Sequence, residues 1–153
     1  MTSDGISTED WNRVVELSGE MVDSWDDEAL SDASRRRLLA CLDDLEAKYG
    51  ELPSILFSRA EYVEDDVFAE ALTARAYDLA LRREDHRGAL DVCTSLAGLY
   101  AGLARAGSAG SDPLPVKELA LEWLDRAETH LHVGNEHDVA EVAELRVKVA
   151  SMP

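Results

Sequence analysis

Cysteine is nearly absent from this chain: 2 residues in 153, Cys41 and Cys93. Each falls at an apolar position of a helical pattern, so they supply neither a disulfide framework nor a metal-binding cysteine cluster. Neither has a histidine placed to activate it, which leaves two inert core thiols as the expectation. Positive charge is also scarce, 15 Lys and Arg against 32 Asp and Glu, for a formal net charge of -17. Such a surface repels nucleic acid and anionic membranes. No uninterrupted apolar run approaches the roughly 18 residues of a membrane span, and the opening MTSDGISTEDW has neither a basic n-region nor an apolar core. These absences predict a cytoplasmic protein with no nucleic acid and no membrane among its partners. No segment alternates β-branched and polar residues with a period of two, so no strand is predicted. A phosphate-binding loop that must follow a strand goes with it.

What is present is helix. A chain of this length makes one domain with a sizeable core, and 46% hydrophobic against 31% charged residues is a globular balance. Trp11, Val14, Val15, Met21, Val22 and Trp25 recur at helical spacing behind a cap at Ser7 or Thr8, and predict a first helix ending near residues 26–28. Ser31 or Asp32 opens a second, with Leu38, Cys41, Leu42, Leu45 and Tyr49 on one face and Gly50 past its end. Pro53 starts a third, bearing Ile55, Leu56 and Ala60, to about Val63. A fourth runs from Asp65 or Asp66 to about Arg83, and a fifth from Asp85 to Gly107. After the loop GSAGSDPLP a sixth carries Val116, Leu119, Ala120, Trp123, Leu124, Ala127 and Leu131. Gly134 and Asn135 separate it from a seventh, where the Asp138 carboxylate faces the positive helix end. The expected architecture is one all-α domain, an N-terminal helical pair over 1–50 and helical hairpins over 53–150.

The fifth helix poses a question. Its segment SLAGLYAGLARAG holds Gly98 and Gly102, each costing about 1 kcal/mol relative to alanine. At 100° per residue, Val92, Cys93, Leu96, Tyr100 and Leu103 form a large face, opposite Asp91, Thr94, Ser95, Gly98, Ala101 and Gly102. Glycine on the small face lets a second backbone come close, which offsets its entropic cost; the alternative is that the glycines are merely tolerated in solvent. The first reading predicts that Gly98 sits against another helix.

Stacked helical hairpins supply such a setting. The segments AYDLALRREDHRGALDVCTSLAGLY and EWLDRAETHLHVGNEHDVAEVAELRV share a plan of apolar helix, polar break and Ala-rich helix. Leu96-Ala97-x-x-Tyr100, followed by Ala120-Leu121-x-x-Leu124-x-x-Ala127, resembles the tetratricopeptide repeat, with Ala97 where that pattern has glycine. A weaker copy places Tyr62, Phe68, Ala71 and Leu72 at the same positions, with Arg75 and Asp78 where the family keeps apolar or small residues. The resemblance implies a right-handed array whose first helices line a groove for a peptide or helix. The groove positions here are Asp91, Thr94, Ser95, Gly98, Ala101 and Gly102, to be filled by a partner or by the chain's own N-terminal segment.

No constellation argues for catalysis. His130 and His132 are two apart on a helix and diverge by about 160°, so with His137 they read as surface histidines rather than metal ligands. The acidic pairs Asp26/Asp27, Asp43/Asp44 and Asp65/Asp66 do not converge, and read as caps and solvated charge. Arg35-Arg36-Arg37 spreads around its helix as a solvated or locally paired run. The three tryptophans belong to apolar stripes. The expectation is a non-catalytic scaffold or adaptor binding a protein or peptide, with no cofactor and no metal. The alternatives are a structural homodimer subunit and, further off, a small helical enzyme or metal protein. Residues 1–70 hold 19 of the acids and only 6 bases, so a basic partner is expected to engage near the N-terminal helices; the alternative is that the acidity serves only solubility or a salty cytoplasm.

Overall fold

The computed structural model describes the backbone of residues 1–24, 26–106 and 113–152, and the described residues are all-α, without strands. They form seven α-helices: α1 Thr8–Asp23, α2 Glu28–Tyr49, α3 Pro53–Tyr62, α4 Asp66–Arg82, α5 His86–Ala106, α6 Pro113–His130 and α7 Glu136–Ala150, with a single 3-10 turn, Leu131–Val133, before α7. None is long and apolar enough to cross a membrane. The chain divides into two compact units, Met1–Arg83 and Glu84–Pro153.

In the first unit the ends of α1 and α2 meet. Lys48 Nζ is 2.8 Å from Asp10 Oδ2 and the Tyr49 hydroxyl donates to the same carboxylate; near the other end of the pair Arg37 reaches Glu20 at 2.5 Å. The two helices are therefore antiparallel. Arg59 of α3 bridges Asp43 and Glu46 of α2 at 2.5 and 2.7 Å, and Arg35 meets Glu64 just past α3, so α3 reverses direction again. The core between them is Ile6, Val14, Leu17, Leu38, Leu42, Leu45, Leu52 and Ile55. Leu56, Ala60, Leu72, Ala76 and Ala80 are buried where α3 packs along α4.

The caps follow the chemistry of the sequence with one displacement. Ser7 accepts from the Asp10 amide at 3.2 Å, and Asp65 from Phe68 at 2.9 Å. The predicted start of α2 at Ser31 or Asp32 is corrected to Asp27, whose carboxylate accepts from the Ala29 and Leu30 amides, both at 3.1 Å. An aspartate there captures two otherwise unbonded amides and faces the positive helix end. Helix α3 has no side-chain cap from its own N-cap, Leu52. Asp4 supplies one from fifty residues away, accepting from the Ser54 amide at 2.8 Å and its hydroxyl at 2.9 Å.

The apolar stripe of α1 is also corrected. Val14 and Leu17 are buried, whereas Val15 and Val22, expected inside, are exposed. Of the tryptophans, Trp11 and Trp123 are half-buried, and Trp25 lies outside the described residues. Cys93 is buried and Cys41 half-buried, and neither is in a disulfide.

In the second unit α5 packs chiefly along α6. The first residue of α5, His86, lies against the last of α6, His130, so this pair too is antiparallel. Helix α7 reverses once more: Lys117 of α6 donates to the Met152 carbonyl at 2.7 Å, and Arg146 binds Asp125 and Glu128 at 2.7 and 2.8 Å. Asn135 and Asp138 form a reciprocal capping box at the start of α7.

Candidate functional site

The residues singled out in α5 divide between two surfaces. Ala89, Leu90, Val92, Cys93, Ala97 and Ala101 are buried. Asp91, Ser95 and Gly102 are exposed, while Thr94 and Gly98 are half-buried at the border. The buried arc is thus rotated from the predicted one: Ala101 turns inward, and Leu103, expected in the core, is 48% exposed. Leu99, one turn earlier, is 55% exposed. Asp91, Ser95, Gly98, Leu99, Gly102 and Leu103 share one continuous arc of about 140°.

No described part of the chain itself makes the close approach expected at Gly98. A Cβ built at Gly98 or Gly102 would meet nothing within 4 Å. Close packing in this unit runs instead along small residues, Ala89, Cys93, Ala97 and Ala101 of α5, with Ala120, Leu124 and Ala127 buried on α6. Alanine permits a short interhelical distance while keeping the best helix propensity. The tight surroundings of glycine in this unit lie elsewhere. A Cβ at Gly88 would collide with the Asp85 carboxylate that caps α5, and one at Gly134 would stand 3.1 Å from Asp138 Cβ and 3.2 Å from Leu90 Cδ2.

The polar groups of this unit gather where α5 starts, α6 ends and α7 starts. Arg87 donates to Asp138 through both terminal nitrogens, at 2.7 and 3.2 Å, and binds Asp91 at 2.8 Å. Asp138 also accepts from the Asn135 amide at 2.7 Å. The Arg87 guanidinium, aided by that amide, holds the Asp138 carboxyl below the usual carboxylate range. Sequence reading placed Asp138 at the helix end but missed Arg87, because a partner 51 residues away leaves no mark on local spacing.

The histidines are brought together otherwise than expected. His130 is buried rather than on the surface, and its Nδ1 is 3.2 Å from His86 Nδ1. The His132 ring is edge-on to His86, with centroids 4.9 Å apart. The 160° divergence holds only on a continuous helix, and α6 gives way to the 3-10 turn between the two residues. His137 is exposed at the start of α7. Among the described residues no group of three His, Cys, Asp or Glu side chains is arranged to hold a metal ion.

Elsewhere, Asp27 and Asp65 are engaged as caps and Asp43 in an ion pair. Arg35 is paired locally with Asp32 and also with Glu64, whereas Arg37 pairs across helices with Glu20 of α1. Burial raises the Cys41 thiol above its ordinary range, against reactivity. In the weaker repeat copy Leu72 is buried, but Phe68, Ala71, Arg75 and Asp78 are exposed. No protein-family model, no curated protein and no solved structure matches this chain.

Proposed function

We propose that the chain is a non-catalytic scaffold or adaptor of tetratricopeptide-repeat-like hairpins, and that it receives a helix or peptide from a protein partner on the outer arc of α5. The observation that carries this reading is the pairing of two exposed leucines, Leu99 and Leu103, with two glycines over which there is open space. A helix presenting its backbone could approach Gly98 and Gly102 closely while the leucines bury against it. That burial would offset the helix propensity both glycines forgo. The antiparallel α5–α6 pair, carrying the Leu96-Ala97-x-x-Tyr100 and Ala120-Leu121-x-x-Leu124-x-x-Ala127 patterns on successive helices, supports the repeat reading. Two of the positions originally assigned to the groove contribute less: Ala101 faces inward and Thr94 sits at the edge. Residues 71–153 hold 13 acids against 9 bases, a weaker negative excess than that of residues 1–70 but of the same sign, and it favours a partner segment with basic residues beside its apolar face.

The test is affinity capture from the native lysate with wild-type protein and with the double variant Leu99→Asp/Leu103→Asp. Circular dichroism and thermal melting must first show that the variant is folded. A partner with a basic amphipathic segment should be recovered by wild type and lost by the variant. Recovery of the same proteins by both would remove α5 as the docking face. Light scattering provides the other arm: a dimer that the double variant converts to a monomer would assign this face to a second copy of the chain.

A further inference from the structure

The three histidines that cluster at one end of the second unit make a contact that depends on how many protons they share. His86 opens α5, His130 closes α6 and His132 lies in the 3-10 turn. At 3.2 Å between the Nδ1 atoms of His86 and His130, one ring donates and the other, neutral, accepts. Two imidazolium rings would set N–H against N–H, replacing a hydrogen bond by like charges in a part-buried setting. His132 adds a third ring against His86, and its Nδ1 lies 3.2 Å from the Thr129 carbonyl oxygen, which keeps the turn wound.

We propose that this cluster is a built-in pH switch: as pH falls through the imidazole range, roughly 7 to 5, protonation of a second ring breaks the His86–His130 contact and releases the 3-10 turn from the α5–α6 end. Burial first, and then the neighbouring His86 and His132, hold the pKa of His130 below the ordinary imidazole value of 6.5. The unfolded turn therefore takes up protons more readily than the folded one. The stabilisation is complete above about 6.5 and is lost as pH falls from there toward the lower folded value.

The remaining charges at this end confine the response. From α5, Arg87 is held by Asp91 and Asp138, and the preceding Asp85 accepts the Gly88 amide at 2.9 Å. From α6, Glu128 and Asp125 bind Arg146 of α7. From the first turn of α7, Asp138 is fixed by Arg87 and Asn135, while Glu136 and His137 are exposed. Because Asp138 titrates low, the Arg87–Asp138 pair outlasts acidification and keeps α7 tethered to α5. The turn opens and the helices stay.

Amide hydrogen exchange on the full chain at pH 7.5, 6.5 and 5.5, corrected for intrinsic rates, tests the switch. Protection at residues 130–134 should fall about tenfold on acidification while that of the α5 and α6 interiors holds. In His86→Gln, which keeps a neutral hydrogen-bonding side chain, the fall should vanish. An equal fall in wild type and His86→Gln, or no fall in wild type, overturns the proposal. Should His86→Gln not fold, imidazole titration of the wild type by NMR decides: a His130 curve of more than one step is required, and a single-step His130 curve refutes it.

Discussion

The α1–α2–α3 core of the first unit and the α5–α6 seam of the second are filled with different side chains. Between α1, α2 and α3 the core is built of leucine, isoleucine and valine, fully or nearly fully buried, whereas α5 and α6 bury mainly alanine and cysteine between them. Large aliphatic side chains stabilise through the apolar area they remove from water, and their loss leaves a hole. Small side chains stabilise by letting two helices come close, and their enlargement forces the helices apart. The α1–α2–α3 core should therefore be sensitive to truncation and the α5–α6 seam to insertion.

The largest effect that could break this contrast is Leu42→Ala. Leu42 is fully buried in the first unit, and truncation should cost about 2–5 kcal/mol. Chemical denaturation followed by circular dichroism checks it, and a loss under 1 kcal/mol would mean that the α1–α2–α3 core can collapse around the hole. Ala97→Leu in the second unit should come next, costing about 1–3 kcal/mol by overpacking, although leucine is nearly as good a helix former. A neutral Ala97→Leu would show that α5 and α6 have slack and that the small residues are not required.

The units should also respond to acid in different windows. Hydrogen bonds from Lys48, Tyr49 and Ser7 lower the Asp10 carboxyl from 3.8 to about 2. A carboxylate with a depressed folded pKa contributes stability that is present above the unfolded value and lost as pH falls through the folded one. The junction of α1 and α2 should thus loosen between about pH 4 and 2, and Asp10→Asn should flatten the melting temperature in that range. The histidine cluster acts well above it, so melts at pH 6 and pH 3 separate the two. If Asp10→Asn leaves the acid limb unchanged, the exposed junction is screened by solvent and carries little.

The smallest change sharpens the comparison most. Gly98→Ala and Gly102→Ala each place a methyl in open space, and should raise stability by up to about 1 kcal/mol through helix propensity. Partner capture should weaken in the same variants. A gain in stability with undiminished capture would mark these glycines as tolerated in solvent, the alternative reading of the small face.

Much of the fold was legible because it is local. Helix number, the caps at Ser7, Asp65 and Asn135, the stop at Gly50 and the buried stripe of α2 follow from spacing and capping chemistry within a few residues. The failures have a common origin. Val15, Val22 and Leu103 satisfy a helical period as well as their buried neighbours do. A wheel gives the apolar side only to within a residue or two, and the packed helix chooses the centre of the arc. The start of α2 slipped because Asp27, like Ser31 and Asp32, is one of several residues there that could serve as a cap.

The candidate site was legible in part. The face of α5 that carries Gly98 and Gly102 was marked by its residue types, but its two leucines were missed, since Leu103 appeared to belong to the core and Leu99 to neither side. The resemblance to tetratricopeptide repeats rests on small and apolar residues that any packed hairpin favours. Its second copy puts Phe68 and Ala71 on the surface.

By itself, the sequence determined that this protein is helical, acidic and poor in cysteine, because periodicity, capping and composition act over a few residues or over none. Only tertiary structure decided which face of α5 is covered, that Asp4 caps α3 from 50 residues away, that Arg87 joins Asp138, and that His86 meets His130 across 44 residues. Those contacts depend on how whole helices are brought together, and burial, desolvation and like-charge proximity exist only after they have packed.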